Sequence, residues 1–175
     1  MARSSAETGV TPAAQLESFI ARFDATQQKL IRAVHAAMRK RLPTANEFAY
    51  DYGTHIVIAY SPTDKSTDGI CATDWREDGV RLYFTHGIKL VDPKKLLEGS
   101  ATQVRYVTLE SAKQFSNPDV EAFVAATIKQ SKVPLPATGG GLLVIKPTTA
   151  SKRAAATPTA AKKAAGTTPA AKRAK

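Results

Sequence analysis

The sequence predicts a two-layer α+β domain, with helices on one face of an antiparallel sheet of about four to five strands. Up to about residue 42 the apolar residues recur at helical spacing. From residue 47 the spacing changes to the alternation that is typical of strands. The alternating runs follow one another through short polar loops, which favours antiparallel pairing with the helices on one face.

The first two predicted elements are amphipathic helices that form a hairpin. Thr11 can cap the first helix, and Pro12 suits its first turn, where no backbone N–H is needed. Asp24 begins a turn that can cap the second helix, and Pro43 ends that helix near Leu42. The two apolar stripes are Leu16, Phe19, Ile20 and Phe23, and then Leu30, Ile31, Val34, Ala37 and Met38.

Strand-like runs come next, at residues 47–52, 56–60, 70–75, 80–84 and 103–109. Asp78-Gly79 between the third and fourth runs is typical of a tight hairpin turn. Cys71 lies in an apolar run and has no second cysteine, so a buried thiol is predicted and a disulfide or multi-cysteine zinc site is excluded.

The C-terminal part of the body contains further helical signals. A short turn of helix is predicted between Asp92-Pro93 and Gly99. Asn117-Pro118 is typical of a helix start and opens the last helix. Its apolar face is Val120, Phe123, Val124 and Ile128. After a break at the glycines 139–141, residues 142–145 form a short apolar run that could add an edge strand.

The predicted organisation has four parts. They are a disordered leader at 1–10, a folded domain at 11–132, a linker with the short apolar segment at 133–150, and a disordered basic tail at 151–175. The tail is rich in Ala, Lys and Thr and has no aromatic or branched aliphatic residue, so it cannot bury enough apolar surface to fold.

Charge is strongly segregated along the chain. Residues 1–145 hold 17 Lys and Arg against 15 Asp and Glu, whereas residues 146–175 hold eight bases and no acid. Such asymmetry indicates a polyanionic partner, and we expect non-specific contact with nucleic acid. The predicted contact residues are Lys152, Arg153, Lys162, Lys163, Lys172, Arg173 and Lys175. The tail resembles those of linker histones and tailed HU-like nucleoid proteins. A linker without a selected partner, an anionic membrane and a processing signal are the alternatives.

No catalytic motif was found in the body, which predicts a protein that is not an enzyme. His35 is interpreted as a helix-face residue and His55 as structural. The acids Asp74, Glu77 and Asp78 are interpreted as a solvated turn. No apolar run approaches a membrane span and no secretory signal is visible, so we expect a cytoplasmic protein without a membrane partner, associated with the nucleoid.

Residues 82–99 (LYFTHGIKLVDPKKLLEG) and 103–107 (QVRYV) resemble the YdhG-like family of domains of unknown function. The resemblance extends over about residues 14–130, and the family usually has Gly and Lys where Ser100-Ala101-Thr102 follow Gly99. It implies a curved antiparallel sheet backed by helices. Most members have no known activity. Some are described as frataxin-like iron chaperones, so an iron or small-ligand carrier with an incidental tail is the alternative function.

The candidate ligand site consists of Tyr52, His86, Asp92 and Arg105. The resemblance implies that Asp92 caps a short helix and that Arg105 pairs with a carboxylate. The segment around them is interpreted either as a structural corner or as a corner that faces a ligand. A third possibility is an enzyme with a site in the sheet concavity near Tyr52, His86 and Arg105. Apart from the iron of the alternative, no cofactor or metal site is predicted.

Overall fold

A computed structural model describes residues 9–148, over which the chain forms three α-helices and six β-strands. Residues 1–8 of the predicted leader and the whole predicted tail, 151–175, lie outside the described residues. In chain order the elements are α1 (Pro12–Ile20), α2 (Ala25–Arg41), β1 (Asn46–Asp51), β2 (Ile56–Ser61), β3 (Cys71–Arg76), β4 (Gly79–Phe84), β5 (Arg105–Leu109), α3 (Pro118–Gln130) and β6 (Leu143–Lys146). Short 3-10 turns lie at Ser66–Asp68, Gly87–Lys89 and Ala112–Ser116.

The helices begin at the caps that the sequence predicts. The hydroxyl of Thr11 accepts a backbone N–H of the first turn of α1 at 3.2 Å, and Pro12 is the first helical residue. One carboxylate oxygen of Asp24 accepts two backbone N–H groups of α2, each at 2.8 Å. The side chain of Asn117 accepts an N–H at the start of α3 at 2.9 Å. These bonds satisfy donors that a helix start otherwise leaves free.

The sheet has the strand order β5-β4-β3-β2-β1-β6. β1 to β5 form an antiparallel meander, as the short loops predict. The α+β prediction is therefore confirmed, although the strand count of four to five is slightly low. The tight turn before Gly79 joins β3 to β4, where Arg76 pairs with Gly79.

β6 is the edge strand that the apolar run near residue 143 allowed, and it pairs with β1 in parallel. The chain crosses from β5 through α3 to the far edge of the sheet, so β6 enters in the same direction as β1. Gly141 makes this approach possible, because a Cβ there would lie 1.6 Å from the carbonyl oxygen of Ala45.

Strand register divides the sheet into two faces. The face that we call the covered face includes the row Ala49, Ile58, Thr73, Leu82 and Val107, and its apolar members share one buried core with the inner residues of all three helices. The alternate residues form the face that we call the open face. Its central row is Phe48, Ala59, Ala72, Tyr83 and Tyr106, and none of these joins the helix-packed core.

A polar cluster lies between α2 and the covered face. Glu47 is only 2% exposed, and its carboxylate contacts His35 Nε2 at 2.9 Å and Arg39 at 3.1 Å. The ring of His35 also packs edge-on against Trp75, with ring centroids 5.6 Å apart. His35 is thus a helix-face residue, as predicted, but it faces a buried carboxylate that the sequence did not indicate.

The helix predicted between Asp92 and Gly99 does not form. The segment instead wraps around the carboxylate of Asp92, which accepts the N–H groups of Leu96 and Leu97 at 2.9 and 2.7 Å. Lys95 has a positive φ of 55°, and Glu98 then forms an isolated bridge to Tyr106 beside β5. The Asp92-Pro93 pair therefore begins a turn whose backbone N–H groups bind the Asp92 carboxylate, and not a helix.

Candidate nucleic-acid interface

The chain leaves the described domain just after β6, on the way to the predicted tail. Lys146 ends β6, and its Nζ lies 4.9 Å from the ring centroid of Phe48 on the open face. The hydroxyl of Thr148 donates a hydrogen bond to the carbonyl oxygen of Asp51. Because β6 runs parallel to β1, the chain leaves at the end of the sheet where β1 also ends. The predicted contact residues from Lys152 to Lys175 lie outside the described residues.

A ladder of three rings stands at this same end of the sheet. The rings of Tyr50 and Tyr52 are stacked with centroids 6.3 Å apart, and those of Tyr52 and His55 are stacked at 5.0 Å. Tyr52 is 46% exposed, so part of its ring is accessible to solvent. Exposed stacked rings are the groups on which unpaired bases stack in single-strand-binding proteins.

A second aromatic group lies on the open face over β4 and β5. Tyr83 and Tyr106 are register partners, and their ring centroids are 4.9 Å apart. The guanidinium of Arg81 lies 5.6 Å from the centroid of Tyr106 and forms an ion pair with Asp78 at 3.0 Å. This group therefore combines half-buried rings with a cation that is already paired with Asp78.

A cavity of about 280 Å³ lies on the open face beside Tyr83. Its floor includes Val57 and Ala72, and Asp74 and Tyr83 form part of its wall. Asp74 is only 3% exposed, so it does not belong to a solvated turn as the sequence analysis predicted. One of its oxygens accepts from Arg76 Nε at 2.7 Å, while the other is buried with no hydrogen-bond partner in the described residues. Burial, and then the negative charge of Asp74, raise the pKa of Tyr83.

The structure does not bring the four predicted ligand-site residues together. Tyr52 follows β1, whereas His86 follows β4 at the opposite end of the antiparallel meander. His86 and Arg105 do lie close, since a Cβ on Gly87 would be 2.5 Å from the Cβ of Arg105. A single site that includes both Tyr52 and His86 is therefore excluded by the strand geometry.

Asp92 and Arg105 hold the corner after β4 in place by bonds to the backbone. The carboxylate of Asp92 accepts hydrogen bonds from two backbone N–H groups of its own turn. The guanidinium of Arg105 donates to the carbonyl oxygens of Ala101 and Val104, and not to a carboxylate as the resemblance implied. These contacts fit the interpretation as a structural corner.

Sequence reasoning missed the open-face residues Arg81, Tyr83 and Tyr106, although a signal for them was present. In β4 the residues Val80, Leu82 and Phe84 are buried, and the residues between them are the two that reach the open face. A strand with one apolar face and one Arg–Tyr face indicates a sheet that is covered on one side only.

The prediction of a buried thiol is confirmed. Cys71 is 4% exposed on β3, and burial raises its pKa to about 12. Within residues 9–148, no three His, Cys, Asp or Glu side chains come together as a set that could hold a metal ion. Over the same residues, no helix combines the length and the apolar character that crossing a bilayer requires.

We compared the chain with protein-family models, with curated proteins and with solved structures, and none of them matched it. The resemblance of residues 14–130 to the YdhG-like family therefore stays a prediction that rests on the residues quoted for it.

Proposed function

We propose that the protein is a non-enzymatic, YdhG-like domain that binds nucleic acid without sequence preference through its basic C-terminal segment. One observation carries the proposal: residues 146–175 contain eight Lys and Arg and no acid, while the rest of the chain is nearly balanced. We expect the protein to act in the cytoplasm, on nucleoid DNA.

The proposed mechanism is neutralisation of phosphate charge. Cations that approach a duplex displace its condensed counterions, and this contribution does not depend on base sequence. Seven contacts would give a slope of about −6 in a plot of log affinity against log salt, at roughly −0.9 per contact. The segment 151–175 has no aromatic residue, so it offers no surface on which bases could stack.

The position at which the chain leaves the described domain supports this function. Lys146 and Thr148 lie at the end of the sheet that also holds the ladder of Tyr50, Tyr52 and His55. A polymer that is bound by the basic segment is thereby held near exposed rings. Unpaired bases can stack there, which adds a contribution that the segment alone lacks.

The test compares three full-length proteins on a short DNA duplex by fluorescence anisotropy over a salt series. They are the unchanged chain, a variant with the seven cations from Lys152 to Lys175 replaced by Gln, and a variant in which residues 151–175 are shuffled. At low salt we expect the Gln variant to bind at least about 100-fold more weakly and to lose most of the salt slope. The shuffled variant should bind like the unchanged chain. Equal binding by the Gln variant would disprove the proposal.

The alternative function, an iron or small-ligand carrier with an incidental tail, gives the opposite result. It would show micromolar binding of iron(II) by the full chain together with no duplex binding at low salt. The same preparations can be titrated with iron(II), so one set of proteins distinguishes the two functions.

A further inference from the structure

A second cavity, separate from the open face, lies between the end of β4 and the end of α3. We call it the β4–α3 cavity. Its volume is about 260 Å³, and its lining includes Asp68, His86, Thr127, Gln130 and Lys132. At about 30 Å³ for each water molecule, it has room for about nine non-hydrogen atoms. This is below the usual range for drug-sized ligands, so the cavity suits a small metabolite.

Two buried polar atoms in this lining have no partner in the described residues. They are the hydroxyl oxygen of Thr127 and the side-chain oxygen of Gln130. Thr127 is 5% exposed, and a helical Thr normally bonds back to a carbonyl of the preceding turn, which this hydroxyl does not do. Buried polar groups are nearly always satisfied. Both atoms lie beneath the surface of the lining, so a bound molecule reaches them after a rotation of their side chains, which no existing hydrogen bond opposes.

The charged groups of the cavity are also not paired with each other. Asp68 accepts a hydrogen bond from the hydroxyl of Thr63 at 2.7 Å, but neither Asp68 nor Lys132 joins an ion pair with a described residue. A carboxylate and an ammonium therefore line one small cavity, and each still lacks a counter-charge.

Thr127 and Gln130 belong to the last turn of α3, where free carbonyl groups give the helix end a partial negative charge. Together with Asp68 and the amide oxygen of Gln130, this side of the cavity can accept the three hydrogens of an ammonium group. Lys132 and His86 supply donors for a carboxylate. The imidazole of His86 makes no hydrogen bond within the described residues, so it is available for this contact.

We propose that the β4–α3 cavity binds a small zwitterion of the size of a free amino acid, with its ammonium toward Asp68 and Gln130 and its carboxylate toward Lys132 and His86. A simple anion leaves Asp68 without a counter-charge and the acceptors of α3 without a donor, and a simple amine leaves Lys132 without a counter-charge. Only a molecule with both charges satisfies the whole lining. The site is independent of the basic segment and of the proposed binding of nucleic acid.

The experiment uses the full-length chain, with the standard L-amino acids as probes at millimolar concentration. Each is matched with the carboxylic acid that lacks its amino group and the amine that lacks its carboxylate. Thermal shift and amide chemical-shift changes at Thr127 and Gln130 report binding. We expect at least one amino acid to bind, and its two matched analogues to bind at least about tenfold more weakly, which corresponds to about 1.4 kcal/mol.

Three variants locate the site. Thr127→Val preserves the side-chain shape, and Asp68→Asn changes a partly exposed residue, so neither should unfold the protein. Each should weaken binding about tenfold and leave duplex DNA binding unchanged. Lys129→Gln alters an exposed residue of α3 outside the lining and is the control, with unchanged binding expected. If no amino acid binds, if an analogue binds equally well, or if both Asp68→Asn and Thr127→Val bind normally, the proposal is wrong.

Discussion

The two faces of the sheet are built from the same five antiparallel strands, yet only the covered face shares a buried core with the helices. On the covered face, buried Glu47 contacts His35 and Arg39, and the indole N–H of Trp75 donates to Thr73 at 3.1 Å. On the open face, Asp74 is equally buried, but one of its oxygens has no partner in the described residues. Each face therefore holds a buried polar atom without a hydrogen-bond partner in the described residues, since the hydroxyl of Tyr60 on the covered face also lacks one. The faces differ in packing, because the helices share a buried core with the covered face only.

This difference separates stability from recognition. Residues of the covered face should determine whether the domain folds, because they form the core with all three helices. The exposed and half-buried residues of the open face should be replaceable at little cost to folding, and their effects should appear in binding. Four sets of variants test this difference.

The largest effect should come from Trp75→Ala. Trp75 is 0% exposed, and removing a large buried aromatic side chain typically lowers the free energy of unfolding by about 3–5 kcal/mol. Tyr106→Ala, on the half-buried open face, is the matched control, with an expected loss below about 2 kcal/mol. Urea denaturation of both variants measures the difference. Equal losses would show that the open face is as important to folding as the covered one.

The next effect should come from His35→Ala. This change removes one of two partners from a carboxylate that is 2% exposed, and we expect a loss of about 2–3 kcal/mol in the free energy of unfolding. The double variant His35→Leu with Glu47→Leu removes the buried charge itself and should regain much of that loss. A double-mutant cycle of His35→Leu, Glu47→Leu and the double variant measures the coupling. If the two changes were simply additive, the contact would not stabilise the fold.

A third effect should appear in alkaline solution. Burial raises the pKa of the Cys71 thiol to about 12 from an ordinary value of 9.0, so between these pH values the unfolded chain loses a proton that the folded chain keeps. Stability is therefore fully present below pH 9 and falls above it, by about 1.4 kcal/mol per pH unit for one proton. Tyr60, whose pKa burial and the Glu47 charge raise well above 10, adds to the fall at higher pH.

Cys71→Ala should make this pH dependence shallower by one proton between pH 9 and about 12, even though it also changes the packing. The comparison is between slopes of the free energy of unfolding against pH, not between absolute stabilities. An unchanged slope would contradict the assignment. The native thiol should also react with a thiol reagent at neutral pH only after the protein is unfolded.

The smallest effect should come from Tyr52→Ala. Its ring is exposed in the ladder at the end of the sheet, so its loss should leave stability nearly unchanged. We expect single-stranded DNA to bind about fivefold more weakly, at the low end of the 1–3 kcal/mol that stacking on one base contributes. Duplex affinity should not change. If both forms of DNA weakened equally, the ring would not act by stacking.

Local patterns in the sequence predicted most of the fold. Thr11, Asp24 and Asn117 are caps whose hydrogen bonds involve neighbouring residues, and the alternation of apolar residues reflects burial of one sheet face. The parallel pairing of β6 with β1 could not be predicted from local patterns, because it depends on contact between Gly141 and Ala45, which are about a hundred residues apart in the chain. The prediction of a helix at Asp92 was wrong. In the sequence, an Asp that caps a helix cannot be distinguished from one whose carboxylate accepts the N–H groups of a turn.

The sites were less predictable than the fold, for a physical reason. His86 lines a cavity, but its neighbours there, Asp68 and Thr127, come from a loop and a helix that only the fold brings together. Tyr52 and His86, which looked compatible in sequence, lie at opposite ends of the meander because adjacent strands reverse direction. Spacing along the chain carries no information about the first relationship. The second follows from the predicted antiparallel order, because three reversals of strand direction separate Tyr52 from His86.

The parallel pairing of β6 with β1 has a mechanical consequence. A pull on the chain beyond Thr148, directed along the strand axis, would load the hydrogen bonds between the two strands in shear. All of them would then share the force, whereas bonds that are peeled apart break one after another. If the basic segment binds a polymer as proposed, its anchor is therefore arranged to resist the tension that this polymer exerts.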